Sequence, residues 1–240
     1  QEILIITTAS DQPLFIKMLG DGSDYGISLE YKIQDSPNGI AEAFLLGEDF
    51  IGKDSVSLIL GDNIFFGYQF GDTLKNAAQL TEGGLIFTTT VNDPSSFGVA
   101  QLDDNGVILS IEEKPKNPKS NLAVTGLYFY DNSVVNITKN ITPSARGELE
   151  ITDVNLEYLK QGTLKASQLG RGFAWLDTGT QEALLAAGEF VHTLEKRQGL
   201  KIACLEEIAF NYKWISEEKL VSQQKKYMNS PYGEYLLKLL

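Results

Sequence analysis

The chain has 240 residues, of which 32 are acidic and 20 basic, so its formal net charge at neutral pH is −12. A field of that sign repels nucleic-acid backbones and anionic membrane surfaces, and we expect neither as a partner. No stretch reaches the roughly 18 consecutive apolar residues of a membrane span, and no leader-like segment opens the chain. The single cysteine, Cys204, excludes an internal disulfide and fits a reducing compartment, which makes the cytoplasm the expected location.

Short β-branched apolar segments alternate with segments of helical period through the first part of the chain. The predicted strands are Ile3–Thr8, Ser28–Gln34, Val56–Leu60 and Leu85–Val91, and the helices between them are Leu14–Leu19, Ile40–Phe50 and Phe70–Leu80. This alternation is typical of an α/β fold with a mainly parallel sheet, because parallel neighbours need a crossover connection.

The pattern changes beyond residue 96. Phe97–Leu102 and Val107–Glu113 flank an Asn-Gly turn and predict a hairpin. Further strands are expected at Val124–Tyr130 and Thr163–Leu169, and helices at Glu148–Gln161, Thr180–Arg197, Ser216–Tyr227 and Pro231–Leu240. The apolar residues of the last helix share one stripe, which indicates either core packing or a subunit contact.

Two carboxylates follow hydrophobic strands. Asp62 follows the run Val56–Leu60 in the sequence Gly61-Asp62-Asn63, and Asp177 follows Trp175-Leu176. In open α/β sheets ligands bind beside the carboxyl ends of strands, although a Gly-Asp-Asn sequence on its own is also an ordinary turn. If the two aspartates meet, they form the hard-oxygen set that suits Mg²⁺ together with phosphate oxygens and water.

Six segments in order along the chain carry a resemblance to a known family. They are Leu19–Gly26, Leu60–Asn63, Ile111–Pro115, Ala123–Tyr128, Ala145–Asp153 and Trp175–Thr180. The ordered set resembles the bacterial glucose-1-phosphate thymidylyltransferases over essentially all of the chain. The resemblance implies a Rossmann-like nucleotide-diphospho-sugar transferase fold in a single domain, residues 1–240. Within it, residues 1–95 are the remainder of a nucleotide-binding half, 96–200 a sugar-phosphate and metal half, and 201–240 a helical subunit-contact region.

The resemblance also implies catalytic residues, and their chemistry suits the roles. Asp62 and Asp177 would hold Mg²⁺, while Lys114 and Arg146 would neutralise the sugar phosphate. Taken from composition alone, Lys114 beside Glu113 is a solvated ion pair and Arg146 a surface loop residue. The only histidine, His192, lies inside a predicted amphipathic helix, so we expect no histidine-based mechanism.

For the nucleotide, the resemblance implies contacts from Gln34, Pro37, Gly39 and Asn63. Gln34 offers one donor and one acceptor, which complement the imide edge of thymine or uracil. Without the resemblance, these residues are an ordinary strand end and turn.

For the sugar phosphate, the resemblance implies contacts from Gly98, Glu113 and Val124, with the Glu113 carboxylate accepting from sugar hydroxyls. Phe97 stands where relatives often carry Tyr, which removes a hydroxyl near the sugar.

The implied reaction is attack of glucose-1-phosphate on the α-phosphorus of dTTP, which releases pyrophosphate and dTDP-glucose. Because a phosphate monoester is already a nucleophile, positioning and charge neutralisation should dominate over proton transfer. The resemblance further implies a homotetramer that supplies deoxysugars for cell-surface polysaccharide. Two alternatives stay open: the same chemistry with UTP, or a silent homologue that binds nucleotide sugar and regulates a partner.

The first residues of the chain differ from the family's pattern. Members carry a first strand, a glycine-rich loop with an arginine, and a following lysine that together hold the triphosphate. A strand, loop and helix need about 30 residues, and only Gln1 and Glu2 precede Ile3 in this sequence. The expectation is therefore a fold that is incomplete at its N-terminus.

Overall fold

The computed structural model describes all residues, 1–240. The strands are β1 (Glu2–Thr7), β2 (Ser28–Ile33), β3 (Val56–Ile59), β4 (Asn63–Phe66), β5 (Gly84–Thr90), β6 (Gly98–Leu102), β7 (Ile108–Glu113), β8 (Leu122–Tyr130), β9 (Leu164–Gln168) and β10 (Ala174–Asp177). The helices are α1 (Gln12–Leu19), α2 (Glu42–Leu46), α3 (Glu48–Ile51), α4 (Phe70–Ala77), α5 (Ser133–Asn140), α6 (Ile151–Lys160), α7 (Gln181–Gln198), α8 (Leu205–Asn211), α9 (Glu217–Lys226) and α10 (Pro231–Leu237). None of the helices is both long and apolar enough to cross a bilayer.

Most predicted elements are present, with ends that shift by up to three residues. The predicted helix Ile40–Phe50 is instead two short helices, α2 and α3, which meet at Gly47. Sequence patterns missed α5 and α8, and they missed β4, which spans only four residues. A strand of that length is too short to show a period of two.

The α/β class is confirmed, but the expectation of a mainly parallel sheet is wrong for the strands of this chain. Of seven strand pairings, only β1 with β2 and β5 with β9 are parallel. The largest sheet has the order β7-β6-β8-β5-β9, with β3 also paired to β8. β8 runs antiparallel to β3, β5 and β6, so it accounts for three of the five antiparallel pairings.

The misleading feature of β8 is that both of its faces are buried. Tyr128 and Tyr130 pack in one core cluster, and Leu127 and Phe129, on the opposite face, pack in another. A strand with two apolar faces reads as a continuous hydrophobic run, which is the pattern typical of parallel strands.

The chain forms two compact units, residues 1–36 with 188–240 and residues 37–187. The predicted subdivision of a single domain at residues 95/96 and 200/201 does not coincide with these boundaries, and the single domain stays a prediction. The larger unit holds the β8-centred sheet with α2, α5 and α6 against its core face.

The smaller unit contains the parallel pair β1 and β2 together with the C-terminal helices. Its core is built around Leu220, Leu236 and Ala209. Tyr235 and Leu236 of α10 are buried in that core, so the apolar stripe predicted for the last helix packs within its own unit.

Asp24 joins the loop before β2 to α9 within the smaller unit. Its carboxylate accepts hydrogen bonds from Lys219 Nζ at 2.7 Å and Lys226 Nζ at 2.6 Å, and its carbonyl accepts from Gln223 Nε2 at 3.1 Å. The hydrogen bond from Lys219, followed by that from Lys226, holds the pKa of Asp24 well below its usual range. The charged form of Asp24 is therefore favoured by folding.

The Asp24→Asn variant is expected to lower the free energy of unfolding by about 1 kcal/mol at pH 7, because partly exposed ion pairs contribute little each. Since the folded pKa is depressed, this contribution is full above the unfolded pKa of about 3.9 and is lost as the pH falls through the folded pKa. Urea unfolding at pH 7 and pH 3 should therefore show a smaller difference at pH 3. Asp104→Asn, at an exposed turn position, is the matched control.

Candidate functional site

The two aspartates noted in the sequence lie on neighbouring strand ends. β4 and β10 are antiparallel with Asn63 opposite Asp177, and Asp62 immediately precedes β4. The backbone N–H and the hydroxyl of Thr178 both donate to the Asp62 carbonyl, at 2.9 and 2.8 Å. The structure thereby brings both carboxylates to the wall of one cavity of about 150 Å³.

Seven of the eleven predicted site residues line this cavity. They are Asp62, Asn63, Gly98, Glu113, Lys114, Val124 and Asp177. Pro37, Gly39 and Arg146 belong to the same compact unit but not to the cavity wall, and Gln34 belongs to the other unit. The charged residues of the wall are three carboxylates and one ammonium group, so an anionic ligand meets net negative charge unless a cation accompanies it.

Asn63 holds the aspartate turn in place through all of its polar atoms. Its Oδ1 accepts from Trp175 Nε1 at 2.6 Å and from the backbone N–H of Gly126 at 3.1 Å. Its Nδ2 donates to Asp62 Oδ1 at 2.7 Å. One side chain thus ties the β3–β4 turn to β8 and β10 and orients the Asp62 carboxylate.

Each aspartate keeps one oxygen that has no hydrogen bond within the protein. Asp62 uses Oδ1 to accept from Asn63, and Asp177 uses Oδ1 to accept from the backbone N–H of Gly179 at 3.0 Å. The two Oδ2 atoms are therefore available to a ligand. Two carboxylates with free oxygens fit the way that proteins hold Mg²⁺, which takes one or two carboxylates and fills its other positions with phosphate oxygens and water.

Glu113 is oriented from both sides of the cavity wall. It pairs with Gly98 across the β6–β7 hairpin, and its Oε2 accepts from the hydroxyl of Thr152, a buried residue of α6, at 2.5 Å. A Cβ at position 98 would lie 3.5 Å from Glu113 Oε2, in ordinary van der Waals contact, so Gly98 lies directly beside this carboxylate. The arrangement suits acceptance of a hydroxyl hydrogen from a ligand.

Lys114 follows β7 in a backbone conformation that residues with side chains rarely adopt, with φ at +42°. Its N–H donates to the carbonyl of Phe97 at 3.0 Å, which fixes the turn. The surrounding hydrogen bonds therefore hold a strained residue at the wall of the cavity, as is common where the position of a side chain matters.

Arg146 lies outside the cavity wall and is paired with carboxylates. Its Nη2 lies 2.8 Å from Glu150 Oε2, 3.6 Å from Glu113 Oε1 and 3.7 Å from Glu148 Oε2. The hydrogen bonds to Glu150 raise the pKa of the Arg146 guanidinium above its usual value. Through Glu113, the guanidinium is one residue away from the cavity.

The remaining predicted nucleotide contacts lie apart from this wall. Gly39 has φ at +103° and packs so closely on the chain that a Cβ would lie 2.3 Å from the carbonyl oxygen of Leu149. Its neighbours Asn38 and Ala41 hydrogen-bond the Leu149 backbone. Gly39 is therefore required by packing in its own unit, whatever else it contacts.

The sequence reasoning gave no role to several residues of the cavity wall, among them Thr152, Trp175 and Tyr128. Thr152 and Trp175 lay within segments that carried the resemblance, but their contacts to Glu113 and Asn63 needed the fold. Burial, with a smaller effect of Glu113, raises the pKa of the Tyr128 hydroxyl, which stays a neutral donor.

Comparison with known proteins gives a consistent picture. Residues 1–193 match the family model described as nucleotidyl transferase. The glucose-1-phosphate thymidylyltransferase of Neisseria meningitidis serogroup A is 54% identical over 240 residues, which are all of this chain and 83% of that protein. The enzyme of the same name from Mycolicibacterium smegmatis is 51% identical with the same coverage.

Solved structures agree with these sequence relatives. A Bacillus anthracis protein crystallised with a sucrose is 43% identical, with a TM-score of 0.70 over 78% of this chain and 75% of that one. UDP-glucose pyrophosphorylase complexed with UDP-glucose has a TM-score of 0.67 over 80% of this chain and 81% of its own, at 22% identity. The second likeness shows the fold alone.

Gly126→Ala tests the hydrogen-bonded turn around Asn63. A Cβ at position 126 would lie 2.6 Å from Asn63 Oδ1 and 2.8 Å from Leu60 Cδ1. We expect a loss of about 2 kcal/mol in the free energy of unfolding, because overpacking of this site forces Asn63 out of position. Gly61→Ala, where a Cβ has open space, should stay within about 0.5 kcal/mol in the same urea titration. Equal effects of the two substitutions would contradict the close approach.

Proposed function

We propose that this chain, which belongs to the nucleotidyl transferase family and within it to the glucose-1-phosphate thymidylyltransferases, transfers a thymidylyl group from dTTP to glucose-1-phosphate. The products are dTDP-glucose and pyrophosphate. The observation that carries the proposal is the single cavity that Asp62, Asp177, Glu113 and Lys114 line together. Whole-chain relatives named for this activity support it.

In the proposed reaction, a phosphate oxygen of glucose-1-phosphate attacks the α-phosphorus of dTTP. The bond from that phosphorus to the oxygen bridging to the β-phosphate breaks, and pyrophosphate leaves with that oxygen. No proton transfer is required, so the side chains act by holding the reactants in line and by neutralising charge.

Asp62 and Asp177 are the residues that would hold Mg²⁺. When bound there, the ion supplies positive charge beside the α-phosphate. The support is the donor set: two carboxylates, each with one oxygen that no protein group occupies, on a wall with net negative charge. Asn63 and the Gly179 N–H keep the other oxygen of each carboxylate fixed.

Glu113 and Lys114 are proposed to hold the sugar phosphate. Glu113, oriented by Thr152, accepts from a sugar hydroxyl, and Lys114 pairs with the phosphate. Gly98 and Val124 lie on the same wall and are proposed to contact the sugar through their main chains. Arg146, beside Glu113, contributes a second cation to the phosphate.

For the nucleotide, Gln34, Pro37, Gly39 and Asn63 are proposed as contacts on the basis of the family alone. A reducing cytoplasmic location fits the free thiol of Cys204, and a homotetramer is the assembly that the family implies. The nucleotide contacts and the homotetramer rest on the resemblance, and the location rests on the thiol.

The direct test is the release of pyrophosphate by the protein with glucose-1-phosphate and either dTTP or UTP. We expect faster release with dTTP, and none when glucose-1-phosphate is omitted. Faster release of pyrophosphate with UTP would show that UTP, and not dTTP, is the nucleotide substrate. Tight binding of dTDP-glucose without any release would instead support a silent nucleotide-sugar-binding homologue.

Substitutions of Lys114 separate its charge from its backbone strain. Both Lys114→Ala and Lys114→Gly remove the ammonium group, and we expect each to reduce turnover by about 100-fold. The glycine variant should be more stable than the alanine variant by about 1 kcal/mol, because glycine tolerates a positive φ. The measurements are pyrophosphate release and urea unfolding. Equal stability of the two variants would contradict the strain, and retained turnover would contradict the phosphate role.

A further inference from the structure

A carboxylate without an assigned role, Glu150, holds the Arg146 guanidinium. Arg146 Nε donates to Glu150 Oε1 at 3.2 Å, and Nη2 donates to Oε1 at 2.9 Å and to Oε2 at 2.8 Å. The Glu150 side chain is 11% exposed, whereas the Arg146 side chain is 43% exposed. The buried partner therefore fixes the exposed one.

Glu150 is itself fixed by Ser144. The Ser144 hydroxyl donates to Glu150 Oε1 at 2.6 Å and accepts from the backbone N–H of Arg146 at 3.2 Å. The loop is closed by hydrogen bonds from Ser144 N to Glu148 O at 2.9 Å and from Gly147 N to Ser144 O at 2.8 Å. Arg146 is thus anchored at two points. The Ser144 hydroxyl holds its backbone N–H, and the Glu150 carboxylate holds its guanidinium.

The hydrogen bonds to Glu150 fix the orientation of the Arg146 guanidinium. They use Nε and Nη2, so the edge of the guanidinium that carries Nη1 is left for a ligand. Nη2 also lies 3.6 Å from Glu113, whose other oxygen is held by Thr152 at the cavity wall. The held guanidinium therefore stands beside the residue proposed to bind the sugar.

Glu148 provides an internal comparison. It lies 3.7 Å from the same Nη2, but its side chain is 34% exposed, against 11% for Glu150, and it makes no side-chain hydrogen bond to the guanidinium. Both residues place a negative charge near Arg146, whereas only Glu150 constrains its orientation.

We propose that Glu150 is a positioning residue, which holds the Arg146 guanidinium in the orientation that binds the phosphate of the sugar phosphate. The inference rests on the proposed function, since it takes Arg146 as a phosphate contact. It makes a counterintuitive prediction about charge. Removing a nearby carboxylate should strengthen the binding of an anion if charge alone decides, and should weaken it if orientation decides.

The experiment measures the Kd of glucose-1-phosphate by calorimetry for the wild-type protein, Glu150→Gln, Glu148→Gln and Arg146→Ala. We expect Glu150→Gln to raise this Kd by about 10-fold and Glu148→Gln to leave it unchanged or slightly lower. The Kd of dTTP should not respond to Glu150→Gln. In the Arg146→Ala background, Glu150→Gln should change the Kd of glucose-1-phosphate by less than about twofold, because its effect acts through the missing guanidinium.

A second variant covers the case in which Glu150→Gln does not fold. Ser144→Ala leaves the Glu150 carboxylate and its charge but removes the hydroxyl that anchors it. We expect this variant to raise the Kd of glucose-1-phosphate by about 3-fold. Suppose that Arg146→Ala binds glucose-1-phosphate weakly. Tighter or unchanged binding of glucose-1-phosphate by Glu150→Gln then overturns the positioning role, and Ser144→Ala takes the place of Glu150→Gln if that variant does not fold. Unchanged binding in Arg146→Ala overturns the phosphate role of Arg146 instead, which distinguishes the two failures.

Discussion

The pairing of β4 with β10 is the interaction on which the candidate site depends. Four residue pairs along these short strands bring together Asp62 and Asp177, which are 115 positions apart in the chain (177 minus 62). The pairing is reinforced from the side, because Thr178 donates twice to the Asp62 carbonyl. Without this ladder neither carboxylate would face the other's strand, and the cavity would lose two of the four charged residues of its wall.

A buried strand provides the support for this ladder. β8 contributes Val124, Gly126 and Tyr128 from one face to the cavity, while its opposite face packs against a separate apolar cluster. The absence of a side chain at Gly126 lets Asn63 approach the backbone and link the β3–β4 turn to β8. The aspartate turn is thereby hydrogen-bonded to a strand whose two faces are both tightly packed.

The sequence predicted the strands that deliver the two aspartates, because each lies at the end of an apolar run. It could not predict that β10 pairs with β4, since β4 is too short to show a periodic pattern. For the same reason the contacts of Asn63 were missed, although Asn63 itself was singled out. The positive φ of Lys114 and the clasp of Arg146 by Glu150 depend on hydrogen bonds that only the folded chain provides. The parallel share of the sheet was overestimated because a doubly buried antiparallel strand has the composition of a parallel one.

The central claim is that the carboxylates of Asp62 and Asp177 together hold one divalent cation beside a nucleotide. The most direct measurement is electron paramagnetic resonance of Mn²⁺, as a stand-in for Mg²⁺, titrated into the protein in the presence of dTDP-glucose. We expect one bound ion per chain, which either Asp62→Asn or Asp177→Asn removes while the variants stay folded. Undiminished Mn²⁺ binding in both variants would contradict it.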